Sequence, residues 1–213
     1  MKTQKRNEVQ AKRAFTLIEM IGVLAVIAIL AALLIPKIFE AINNARINNA
    51  VVSYNTVKTA VADHYAKYGS IDRSTNGTAV PPGSSPGVAA TATPGLGYYD
   101  GTLLGEGFLD KPFVVKIGTN SFSEVTLAVA TVIPVASQYD LDGDGAMDVA
   151  AGSYVVEAII QGVPASDAKD VNDRLDGDKP PFSVVLAAVD NKGRVKYDPA
   201  VGGGTVRIYV THR

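Results

Sequence analysis

The sequence contains no cysteine and no tryptophan, and only two histidines, His64 and His212. Without cysteine there is no disulfide scaffold, thiolate zinc site, iron–sulfur cluster or cysteine nucleophile. Two histidines leave little room for a histidine-based metal site or triad. No charge of either sign dominates: 20 Lys+Arg stand against 21 Asp+Glu, a formal net charge of -1. That balance gives no reason to expect a nucleic-acid partner, and no direct nucleic-acid site is evident. Catalytic motifs are missing too. There is no G-x-S-x-G elbow and no Gly-rich phosphate loop between a strand and a helix, so an enzyme is not expected. Charged residues reach only 19%, against about 25% in an average globular chain. Apolar residues fill the gap, at 47% of the chain with a mean hydropathy of +0.15.

The apolar excess is local. Phe15 to Ile35 reads FTLIEMIGVLAVIAILAALLI, 21 residues with one charge, Glu19. At about 1.5 Å per residue such a helix spans about 30 Å, the thickness of a bilayer core. A buried core helix is the alternative, but such a helix normally keeps a polar face, and Met20 to Ile35 has none. Before the segment stand Lys2, Lys5, Arg6, Lys12 and Arg13 against one acid, Glu8, a net +4. After it come only Lys37, Glu40 and then Arg46. By the positive-inside rule the N-terminus stays cytoplasmic and the remainder is exported.

A secretory signal peptide would have a shorter apolar stretch and a small-x-small cleavage site. Here the helical pattern instead continues. Ile47, Val51, Tyr54, Val57, Val61, Tyr65 and Tyr68 fall at helical spacing, with Asn44, Asn48, Asn55, Lys58, Asp63 and Lys67 opposite. One helix is predicted from Phe15 to about Tyr68, apolar all round at first and amphipathic later, roughly 80 Å long. Pro36 lacks a backbone donor and is predicted to bend it. Gly69 suits its end.

A basic leader, a small residue, then Phe15-Thr16-Leu17-Ile18-Glu19 and an apolar helix resemble the type IV pilin family, including the pseudopilins of type II secretion. The motif covers about 25 residues, and the long helix extends the likeness to about residue 68. The resemblance implies cleavage by a prepilin peptidase between Ala14 and Phe15, and N-methylation of Phe15. The family usually has Gly before the cut, where this chain has Ala14. The acid at the fifth mature position matches Glu19, and the proline at the twenty-second matches Pro36. A carboxylate at the centre of a membrane helix costs about 2.5–3.5 kcal/mol, less near an end. Glu19 therefore needs a partner or a function. In a polymer it can pair with the Phe15 amine of a neighbour; the plainer alternative is that it snorkels to the interface. The family layout implies an α+β, pilin-like fold: a leader at 1–14, a long helix at 15–68 with its transmembrane part at 15–35, and an exported β-rich head at 69–213.

Within the head, residues 69–107 are rich in Gly, Pro, Ser and Thr and read as a surface loop. Leu103–Leu109 regains apolar residues and is predicted to form a short helix or turn. Strand signals follow at Pro112–Ile117, Glu124–Val135, Tyr154–Ile160, Phe182–Val189, Arg194–Tyr197 and Val206–Thr211. Asp190-Asn191-Lys192-Gly193 suits a hairpin turn. Ala165–Leu175 reads as a short helix capped by Ser166 or Asp167, with Ala168, Val171 and Leu175 on one face. His64 is expected on a helix face touching the sheet, and the Tyr98-Tyr99 pair suits either packing or a sticky surface patch.

A second chemical signal is Asp140-Leu141-Asp142-Gly143-Asp144-Gly145-Ala146-Met147-Asp148. Acids at positions 1, 3, 5 and 9 with Gly at 6 match the start of a calcium loop, to which the Ala146 carbonyl is a further candidate ligand. Position 12, where an EF-hand has Glu, holds Ala151. A last ligand would have to come from Asp176 or Asp178. The alternative is an Asp/Gly-rich turn without metal. If Ca2+ binds, it stiffens a head that has no disulfide.

These readings converge on a structural subunit. On the resemblance, the precursor is expected to sit in the inner membrane, to meet the prepilin peptidase and an assembly platform, and to self-polymerise into a pilus or a pseudopilus. The alternative of a different class is a membrane-tethered, calcium-bound adhesion module that does not polymerise.

Overall fold

The computed structural model describes residues 16–71, 99–118, 122–130, 139–177, 192–199 and 204–213. Helix α1 (Leu17–Tyr68) runs for 52 residues and continues through Pro36. The chain divides into two compact units, one through Ile42 and the other Asn43–Arg213. The division falls inside α1, where its surroundings change.

In the first unit α1 buries nothing. Its apolar window has a mean hydropathy of 2.8 and is 0% buried. Leu17, Ile18 and Leu33 are 76%, 78% and 70% exposed. Burying one such side chain is worth about 1.5–3 kcal/mol. Summed over the aliphatics from Leu17 to Ile35, the exposed surface represents a cost on the order of tens of kcal/mol, beyond the roughly 5–15 kcal/mol that holds a domain folded. This half of the helix is long and apolar enough to cross a membrane.

In the second unit α1 buries Ile47, Ala50, Tyr54, Val57, Ala60, Val61 and His64. The face is turned slightly from the predicted stripe. Tyr65 is 49% exposed, while Ala50 and Ala60 are buried. Small side chains there let neighbouring elements approach the helix axis closely, so the packed face is set by fit as well as by side-chain size. Gly69 follows the helix at φ 66 and donates to the Tyr65 carbonyl, the predicted stop.

Against this face packs a four-stranded antiparallel sheet of β1 (Ser123–Val129), β2 (Tyr154–Val163), β3 (Val195–Asp198) and β4 (Gly204–His212), in the order β1-β2-β4-β3. Val125 and Leu127, Val156, Ala158 and Ile160, Val195 and Tyr197, and Val206, Ile208 and Val210 join the α1 face in one core. The alternation of period two is what an antiparallel sheet with one face on a core requires. The Tyr54 hydroxyl donates to the Tyr209 carbonyl at 2.6 Å, tying helix to sheet. The opposite face is also covered: Ala130, Tyr139, Val149 and Val155 form a smaller cluster there, flanked by Leu141 and Tyr209.

Several expectations need correction. Residues 112–117 are not a strand. They keep strand-like alternation, with Phe113, Val115 and Ile117 buried and Val114 exposed, which is the signal the sequence carried. Instead of a ladder, one side chain ties them to β1: Ser123 Oγ accepts from Val115 N–H and donates to the Phe113 carbonyl. Part of the expected surface loop is helical, as α2 (Tyr99–Gly105) buries Tyr99, Asp100 and Leu103. Tyr99 thus packs; Tyr98 lies outside the described residues. Helix α3 (Ala165–Leu175) has the predicted bounds, but Pro164 is its N-cap and no side chain caps it. Asp167 is instead drawn to Asn43 of α1, whose Nδ2 donates to it at 3.1 Å. The predicted strand Phe182–Val189 and half of the 190–193 turn, Asp190 and Asn191, lie outside the described residues.

Candidate functional site

At its start α1 is closed by a reciprocal capping box. Glu19 Oε2 accepts from the Thr16 backbone N–H at 2.9 Å and from the Thr16 hydroxyl at 2.8 Å, and Glu19 N–H donates to Thr16 Oγ1 at 3.3 Å. The Thr16 carbonyl accepts the first helical bond, from Met20 at 3.3 Å. Thr-x-x-Glu is a recognised capping pattern, and Thr16 was the residue the sequence reading passed over. Two otherwise orphaned groups at the helix start are satisfied, and the Glu19 carboxylate is folded back toward the N-terminus. Ala14 and Phe15 lie outside the described residues. Pro36 lies inside α1, one residue before the exposed Lys37–Glu40 ion pair at 2.9 Å. A pair that open to solvent contributes little.

The second candidate is the acidic loop. One oxygen from each of Asp140, Asp142 and Asp148 lies within 4.8 Å of the others. Calcium–oxygen distances run about 2.3–2.6 Å, so ligands on opposite sides of one ion stand about 5 Å apart. The converged trio fits that size. Loop amides shape it. Asp140 accepts from Gly143 N–H at 2.7 Å and Gly145 N–H at 3.0 Å, and Asp148 accepts from Leu141 N–H at 2.6 Å. Asp142 accepts from Asp144 N–H, and Asp144 from Ala146 N–H. Asp144 does not belong to the converged trio. Gly145 turns at φ 96, which side chains rarely adopt. Asp176, a proposed last ligand, is engaged by the Arg194 and Val195 backbone N–H groups at 2.7 and 2.9 Å. Asp178 lies outside the described residues.

The loop is anchored on the sheet. Asp148 N–H donates to the Tyr139 carbonyl, and Gly193 N–H donates to the Asp140 carbonyl. Tyr139 and its neighbours Glu157 and Lys196 are at most 1% exposed. Lys196 Nζ stands 3.7 Å from the Tyr139 ring centroid, and Arg207 reaches Glu157 at 3.1 Å. Burial pushes the Glu157 carboxyl above the ordinary carboxylate range, opposed by the charges of Arg207 and Lys196. Burial, then the charge of Glu157, pushes the Tyr139 phenol up. Their scattered sequence positions, 139, 157, 196 and 207, hid this group; strand register brings the last three together, and the packing of Tyr139 on the sheet adds the first.

His64 is buried, and the neighbours its ring meets lie on α1, on α2 and just beyond α2. Its Nε2 lies 3.2 Å from Glu106, and its ring packs among Tyr68, Tyr99 and Phe108. His212 is held by the Tyr209 hydroxyl at 2.5 Å. Both histidines therefore have structural partners.

Among protein-family models, that of the prokaryotic N-terminal methylation motif matches residues 10–35. No curated protein and no solved structure matches the chain. The matched residues include the capping box, Glu19 and the exposed apolar half of α1.

Proposed function

We propose that this chain, which carries the type IV pilin and pseudopilin signature at residues 10–35, is a filament subunit cut between Ala14 and Phe15. The prepilin peptidase would release the basic leader and methylate Phe15. The cut chain then polymerises on an assembly platform in the inner membrane, with an exported head. The observation that carries this reading is the coincidence of motif and surface: the residues that match lead into a helix with an apolar window 0% buried by its own chain. Lipid can cover such a helix in the subunit pool and neighbouring helices can cover it in a filament. The Glu19 carboxylate, near the helix start, is placed in sequence to meet a neighbour's Phe15 amine. Pro36 marks the end of the apolar half.

The reading is tested by mass spectrometry of the mature protein. The expected N-terminus is Phe15 carrying one methyl group; any other N-terminus refutes it. Filaments sheared from cells then separate a surface pilus from an envelope-bound pseudopilus. A correctly processed chain that forms no filament would instead be a tethered module.

We further propose that the acidic loop takes calcium through Asp140, Asp142 and Asp148, with Asp144 and the Ala146 carbonyl completing the shell. The fit of the three converged oxygens supports this. Calcium would offset repulsion among the carboxylates and stiffen the loop. In an exported protein the affinity can be weak, with Kd on the order of 10⁻⁴–10⁻³ M. Heating the purified chain in calcium and in chelator should give a higher Tm with calcium, and equal values would rule the site out.

A further inference from the structure

Lys196 is an ammonium placed where an aliphatic side chain would be ordinary. It lies on β3, the last strand of the described sheet, where a lysine usually points outward and guards the edge. Here it is 1% exposed. Strand register sets Lys196 beside Arg207, Arg207 beside Ile159, and Ile159 beside Glu124, so the residue belongs to a row across the covered face. Removing an ammonium from water is costly unless its surroundings compensate. Its charge acts on the buried Glu157 carboxylate, and its Nζ stands 3.7 Å over the Tyr139 ring. A cation over an aromatic face is attracted most strongly where water is excluded, and this ring is 0% exposed.

Tyr139 is also the residue on which the acidic loop closes. Its carbonyl accepts from Asp148 N–H at 2.8 Å, and the next residue is Asp140, whose carbonyl accepts from Gly193 N–H at 2.7 Å. Asp140 in turn receives Gly143 and Gly145 N–H. Both ends of the loop therefore hang on residues 139 and 140. These are held twice from one stretch of chain, at Gly193 just before β3 through the backbone and at Lys196 within β3 through the ring. Loss of the grip on the ring would let Asp140 and Asp148 move together and disperse the three carboxylates.

We infer that Lys196 is a positioning residue of the acidic loop, acting through the Tyr139 ring to hold Asp140, Asp142 and Asp148 in their converged arrangement. The inference deepens the calcium reading and rests on it only where calcium affinity is measured. The arrangement itself is tested without the ion.

The experiment is amide hydrogen exchange on the full chain in detergent micelles, with and without calcium. Lys196→Met keeps length and apolar bulk but removes the charge. It should speed exchange at Gly143, Gly145 and Asp148 about tenfold, while the Ala158 and Ile208 amides at mid-sheet keep their protection. Lys196→Arg, which can also stack on a ring, should restore the loop. Unchanged loop exchange in Lys196→Met, equal acceleration of loop and sheet, or no rescue by Lys196→Arg would each overturn the inference. If Lys196→Met does not fold, a second pair decides: Tyr139→Phe should exchange like the parent chain and Tyr139→Leu should release the loop, and identical behaviour of the two overturns it. With calcium, Lys196→Met should bind about tenfold more weakly, a loss of about 1.4 kcal/mol. A parent chain whose loop ignores calcium defeats the calcium reading, and the exchange comparison still judges Lys196.

Discussion

Glu19 has two separable properties, a shape that caps a helix and a charge that can pair with an amine. The capping box needs only an acceptor at this position, and Gln serves as well as Glu. Pairing with a cationic amine needs the charge. Glu19→Gln should therefore keep the first turn of α1 but lose filaments, whereas Glu19→Ala should lose both. Thr16→Val removes the hydroxyl that bonds Glu19 and should weaken the helix start by about 1 kcal/mol, a shift of about fivefold in the capped population. Exchange of the Glu19 and Met20 amides in micelles reads the cap, and the yield of sheared filaments reads the pairing. A Glu19→Gln chain that assembles as well as the parent would remove the charge from the account of assembly. Thr16 and Glu19 were legible side by side in the sequence. The hydropathy of the segment drew attention to the membrane and away from the local hydrogen bonding that starts the helix.

Whole elements were legible where hydrophobic period and chain punctuation agree. The long helix and its Gly69 stop, the strand at Tyr154, the strand at Val206 and the bounds of α3 all follow from pattern. What pattern missed depends on contacts distant in sequence. Asp167 bonds Asn43 rather than capping its own helix, and Phe113–Ile117 alternates like a strand but is tied to the sheet by Ser123. The segment turns away at Gly118. That glycine has φ +78, and a Cβ placed on it would lie 2.2 Å from the Gly162 carbonyl oxygen. Gly177 has a similar φ of +72 with nothing within 4 Å. The two glycines thus separate backbone strain from collision. Gly177→Ala should cost only about 1–2 kcal/mol, the left-handed penalty. Gly118→Ala adds backbone displacement at β2 and should cost about 3 kcal/mol or more, near the diagnostic end for a single substitution. Denaturant melts of the two variants provide the measurement, and equal losses would mean that the close approach to Gly162 carries no weight.

At the scale of the molecule the chain is an average over unlike parts. The near-neutral total hides +4 over residues 1–14 and -5 over residues 15–213, counted on side chains. The modest mean hydropathy likewise hides one apolar half-helix beside an ordinary packed head. The head has its own core, built from α1 beyond Ile42, the sheet and the shorter helices. Its residues bury their apolar faces within the unit Asn43–Arg213, whereas Leu17 to Ile35 expose theirs. Stability and assembly should therefore be divisible. A chain starting at Asn43 should remain in solution without detergent, stay monomeric and melt in one cooperative transition, since the surface it loses is not part of its core. The full chain should need detergent or lipid at every concentration, because aliphatic surface worth on the order of tens of kcal/mol seeks cover. Analytical ultracentrifugation and a thermal melt of the shortened chain check this together. Aggregation of the shortened chain, or a broad non-cooperative melt, would mean that residues before Asn43 complete the fold of the head. Its motif would then mark a stem that also serves as part of the domain.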